Sequence, residues 1–62
     1  MANTILKRAA VIRANAEQLG LLQRRVTAMP PADARQVKAE IEAAISLLRA
    51  FEVVVDGRIA KL

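Results

Sequence analysis

PADARQVKAEIEAAISLLRAFEVVV, residues 31 to 55, is the stretch whose reading decides the fold. Val37, Ile41, Ala44, Ile45, Leu48, Phe51 and Val55 recur in it at three- and four-residue steps. That is the spacing of one face of an α-helix. At about 100° per residue, Leu47 and Val54 fall on one flank of the stripe and Ile45 and Ile59 on the other. Together they span roughly half the circumference, whereas a helix packed on one neighbour needs a stripe of about 100°. Such a helix requires two neighbours or more, and the chain has room for one other helix. The expectation is a core completed by another chain, with Ile45, Leu47, Leu48, Phe51, Val54, Val55 and Ile59 as the dimer or partner interface. Phe51 is the best single anchor, because aromatic side chains dominate interface energetics.

Length points the same way. The chain has 62 residues, enough for one small domain. Domains of this size bury only about 60% of their unfolded surface and often need disulfides, metals or oligomerisation. There is no Cys and no His, so disulfide staples and Cys/His zinc sites are excluded. Oligomerisation is the remedy that remains. Hydrophobic residues make up 55% of the chain, but much of that is alanine, which forms helix well and fills little core volume.

Upstream, Asn3 or Thr4 can cap a helix whose periodic residues begin at Ile5. Ile5, Ile12, Leu19 and Val26 are seven apart, with Ala2, Ala9 and Ala16 at the complementary heptad position. Alternating small and large residues let two helix backbones approach toward the short end of the 8–10 Å range. Gly20 costs about 1 kcal/mol against alanine. It is either a tolerated glycine or a place where a partner backbone comes close. Val11 and Leu22 share a second flank and suggest a further neighbour. Met29-Pro30-Pro31 breaks the pattern: each proline disfavours helical geometry in the residue before it, and Pro31 suits the first position of a new helix. The reading is all-α. A helix over about 3–28, a proline turn at 29–31 and a helix over about 31–56 form an antiparallel two-helix hairpin that dimerises into a four-helix bundle.

The ending reads two ways. Val53-Val54-Val55-Asp56-Gly57 resembles a strand entering an Asp-Gly turn, with 58–62 returning. Phe51, Val55, Ile59 and Leu62 instead continue the helical face, giving a helical or frayed tail to 62.

Catalytic chemistry finds little to work with. There is no His, Cys or Tyr, Ser46 is the only serine and falls on the polar side of its helix, and no glycine-rich phosphate loop exists. Glu40 and Glu42 diverge on a helix and make no chelating pair. The expectation is a non-enzyme without cofactor or metal: a regulator, adaptor or inhibitor that binds a larger protein.

Charge keeps a second function class open. The isoelectric point is near 10.8. Residues 1–30 carry five cations against one carboxylate, net +4, while residues 31–62 balance five against five. Lys7, Arg8, Arg13, Arg24 and Arg25 are thus the candidate nucleic-acid contacts. On a continuous helix they spread round the circumference, and that helix has no aromatic residue to stack on bases. The small–large seam of the first helix is similar to that of the Rop-type plasmid RNA-binding dimers. The resemblance implies an architecture, a dimer of antiparallel hairpins. No site residue carries over, because the aromatic residue those proteins present to RNA has no counterpart here.

A third class, a basic amphipathic helix lying on a membrane surface, lacks aromatic anchors. Charge-free stretches such as Val26 to Ala32 are far short of the roughly 20 residues a membrane span needs, although mean hydropathy is +0.26. With no apolar run after Lys7 and Arg8, no signal peptide is read and a cytoplasmic location is expected.

Cations without stacking or base-reading groups bind nucleic acid through phosphate charge alone. A gel-shift or anisotropy titration is expected to show weak, sequence-independent binding that is lost by about 200 mM salt. Tight, sequence-selective binding at that salt would place this chain among nucleic-acid regulators instead.

Overall fold

The computed structural model describes residues 3–61, all in helices, turns and one short connection, with no strand among them. Ala2, assigned to the seam, and Leu62, assigned to the apolar face, lie outside the described residues. The first element, α1 (Asn3–Gly20), is followed by a single short turn of helix, α2 (Gln23–Val26), and by the long α3 (Pro31–Ala60).

The helix expected to run to about residue 28 is therefore interrupted at Leu21 and Leu22. Leu22 sits at φ −96°, ψ 15°, in the sparsely populated bridge region outside the α basin. Its N–H donates to the Leu19 carbonyl at 3.0 Å, and the Arg25 N–H donates to the Leu22 carbonyl at 3.0 Å. These i→i−3 bonds are tighter than the α-helical pattern. Gly20, the weakest helix former of the segment, comes immediately before the interruption.

A second tightening ends α2. The Thr27 hydroxyl donates to the Arg24 carbonyl at 2.8 Å, and the Met29 N–H donates to the Val26 carbonyl at 3.0 Å. Pro30 is then extended, at φ −58°, ψ 142°, as a residue before proline should be. Its carbonyl accepts the first bond of α3 from the Ala34 N–H at 3.0 Å. Pro31 occupies the opening position, where its missing N–H leaves nothing unsatisfied. Asp33 in the first turn and Arg58 in the last complement the helix dipole.

α3 passes straight through Val53-Val54-Val55-Asp56-Gly57 and ends at Ala60, so the strand-and-turn reading of that segment is replaced by helix. The reason is the continuity of the stripe. Gly57 does not take a positive φ, and Val55 and Ile59 prolong an apolar stripe already established upstream. A two-stranded ribbon would have left that stripe for an element marginal in water.

The chain is 48 Å long and 19 by 15 Å across. α3 alone accounts for about 45 Å of the length at 1.5 Å per residue. The radius of gyration is 15.2 Å, against roughly 10–11 Å for a compact chain of this length. No two described Cα atoms twelve or more residues apart come within 8 Å. Helices packed at 8–10 Å between axes bring facing Cα atoms closer than that. The alanine seam of α1 therefore does not draw the two backbones together within one chain: beside Ala9 stand the side chains of Leu48 and Phe51.

Among the described residues none is buried; Met29 and Ala34 come nearest, half-buried at the start of α3. The chain exposes 6063 Å². A compact monomer of its mass, 6.7 kDa, would expose about 3,900 Å². The surplus is thus about 2,100 Å² per chain.

Gly20 marks the interruption, yet a Cβ built there meets nothing within 4 Å and its φ is not positive. Gly20→Ala should therefore raise stability by up to about 1 kcal/mol and increase helicity. Circular dichroism melts read the change; a lower midpoint would show that another chain's backbone packs on Gly20 in the assembled protein.

Candidate interaction surface

The wide stripe of α3 and the seam of α1 line common grooves. At one end, Ile5, Ala9 and Ile12 with Leu48 and Phe51 surround a groove of about 360 Å³, and Arg8 lies at its edge. A neighbouring groove of about 500 Å³ adds Leu6, Glu52 and Val55. Toward the proline turn, Leu19 lies with Val37, Ile41 and Ala44 over about 460 Å³, rimmed by Asp33, Gln36 and Glu40. Beside the turn itself, Leu19, Leu22, Val26 and Met29 join Val37 and Ile41 around about 350 Å³. The grooves follow one order along the chain: Ile5 shares a lining with Val55, Ile12 with Leu48, Leu19 with Ile41 and Val26 with Val37.

The expected interface residues divide into three groups. Leu48, Phe51 and Val55 line the grooves shared with α1. Ile45 lies on the opposite flank with Leu48, Arg49 and Glu52 around a more polar hollow of about 320 Å³. Leu47 and Val54 turn away from α1 and are 74% and 67% exposed. Ile59 is 58% exposed near the end of α3. Phe51, 51% exposed, stands where two grooves meet.

The cations are not gathered into one patch. Arg13 is held by the exposed carboxylate of Glu17, one turn along α1. Arg8 and Arg25 line separate grooves, near opposite ends of the cleft. Arg24 and Arg25 fall in the last turn of α2, beyond the interruption at Leu22, so their directions relative to Lys7 and Arg13 are no longer those of one continuous helix.

Sequence periodicity placed the stripe of α3 but missed the groove beside the turn, where Leu19, Leu22, Val26 and Met29 meet Val37 and Ile41. Its clue was available: an apolar residue directly before Pro-Pro has nowhere to go except back against the new helix. Among the described residues the grooves are lined mainly by apolar side chains, with Arg8, Arg25, Asp33, Gln36, Glu40 and Glu52 at different places along them. Among the described residues, no three Asp or Glu side chains cluster to hold a metal ion. No described helix is long and apolar enough to cross a membrane. What such a surface can do is receive aliphatic and aromatic side chains from another helix. Compared with protein families, curated proteins and solved structures, the chain gives no match.

Proposed function

We propose that this chain is a non-enzymatic protein–protein interaction module: an antiparallel helical hairpin that dimerises into a four-helix bundle and acts as a regulator, adaptor or inhibitor on a larger protein. The observation that carries the proposal is the surplus exposure of about 2,100 Å² per chain in a protein with no buried described residue. Two chains covering that surplus on each other would bury about 4,200 Å² in total, within the 2,000–5,000 Å² of obligate homodimers. Crystal-packing or weak transient contacts are several-fold smaller. The ordered pairing of α1 with α3 across the grooves supports the hairpin, and the aliphatic lining supports a helical occupant. The free valence left after dimerisation, Ile45 and Ile59 on the other flank of α3, is the surface offered to the larger protein.

Sedimentation equilibrium at micromolar concentration should give about twice 6.7 kDa, and the melting midpoint should rise with protein concentration by mass action. A helical, cooperatively melting species of single-chain mass would overturn the reading. Phe51→Ala separates the two roles of the surface. If the dimer covers Phe51, truncation should move the protein strongly toward monomer, since losing a buried Phe costs about 3–5 kcal/mol. A dimer unchanged by Phe51→Ala assigns Phe51 to the larger partner instead.

A further inference from the structure

Along α3, Ala43, Ala50 and Gly57 recur at seven-residue steps, with Leu47 and Val54 between them at the alternating four–three spacing of a coiled-coil seam. One column is small and the other large. Leu47 and Val54 lie about 100° round the helix from Val37, Leu48 and Val55, which turn toward α1. They are among the most exposed apolar residues of the chain, the three small positions are exposed as well, and a Cβ built on Gly57 meets nothing. On the other side of α3, Lys38, Glu42, Arg49 and Asp56 form a charged flank, interrupted by Ile45 beside Arg49.

We propose that this seam is the docking line for a second copy of the chain, α3 against α3 and antiparallel, with Leu47 opposite the partner's Ala50 and Ala43 opposite the partner's Val54. The proposal rests on the homodimer reading above and gives that dimer its face, direction and register. Antiparallel pairing in this register sets a large residue against a small one in every central layer, so the backbones close toward 8 Å without overpacking. Parallel pairing would stack Leu47 on Leu47 and Ala50 on Ala50, crowding one layer and emptying the next. Charge makes the same choice. The antiparallel register brings Glu40 level with the partner's Arg58, once on each side of the twofold axis, whereas a parallel twofold would carry the two copies of each to opposite faces of the pair and leave both unpaired. The surplus area is what a stable dimer needs, and this seam is the part of it that α1 does not approach.

The chain has no cysteine, so single introduced cysteines report the interface without background. In the proposed register the twofold axis passes level with Leu48 and Arg49. Position 50 is then offset from its own copy by three residues, about 4.5 Å along the helix, within disulfide reach. Position 43 is offset by eleven residues, about 16 Å, and Arg49 points outward. Under oxygen with a copper catalyst, Ala50→Cys should form covalent dimer about tenfold faster than Ala43→Cys or Arg49→Cys. Ala43→Cys mixed with Val54→Cys should link to each other faster than either links to itself. Circular dichroism confirms that each variant is folded. Sedimentation of the unmodified chain is run alongside. A dimer in which Ala50→Cys links no faster than Arg49→Cys overturns the seam and leaves the homodimer standing. Self-linking of Ala43→Cys as fast as Ala50→Cys overturns the antiparallel direction. A chain that stays monomeric overturns both readings together.

Discussion

Apolar area that a single chain cannot hide governs everything else about this protein. Eighteen large hydrophobic residues among those described are exposed, and one helix lying beside α3 cannot cover a face spread over half of its circumference. Two helices share one line of contact; the remaining apolar area lies to either side of it. Without aromatic residues beyond Phe51, the chain also lacks the bulk to wedge that line shut. The grooves between α1 and α3 stay open for this reason. In the dimer proposed above they would be the inner half of an interior that the second chain completes.

Backbone chemistry decides where the chain bends, and it does so in two unequal ways. Pro30 and Pro31 force a boundary by removing donors and forbidding helical geometry upstream, so that boundary was readable directly from the residues. The interruption at Leu21 and Leu22 is subtler. Gly20 lowers the cost of leaving the helix but does not compel it, and the i→i−3 bonds at Leu22 and Arg25 show a helix retightened and not abolished. Propensity announced a weak point there without saying whether the chain would use it. The same distinction explains Val53 to Gly57. β-branched residues before Asp-Gly look like a strand when read locally, yet the three-and-four spacing running from Val37 to Ile59 extends through them. The longer-range pattern prevailed because it keeps one apolar stripe continuous.

The candidate surface was legible in part for a related reason. Periodicity reports which residues of one helix share a direction, so the width of the α3 stripe and the prominence of Phe51 followed from spacing alone. It does not report which residue of another helix stands opposite. The meeting of Met29, Leu22 and Leu19 with Val37 and Ile41 depends on how the turn carries the chain back, and so does the division of the stripe into groove-facing Leu48 and Val55 and outward Leu47 and Val54. The charges illustrate the limit most plainly. One uninterrupted helix would spread Lys7, Arg8, Arg13, Arg24 and Arg25 round its circumference, and a single residue at φ −96°, ψ 15° removes the premise of that placement for Arg24 and Arg25.

The absence of any buried described residue also has a consequence for lifetime. Amide protection against solvent and resistance to proteases both come from segments that open only at high free energy, and those segments are the ones under tertiary cover. A lone copy of this chain has no such cover and is open to cleavage along its length. Once its apolar faces are enclosed, the same chain becomes durable. With a second copy as the enclosing molecule, as proposed above, persistence would follow the chain's own abundance: scarce copies would be cleared before they meet, and copies above the association threshold would protect one another. A protein built this way needs no separate switch to keep stray single copies from accumulating.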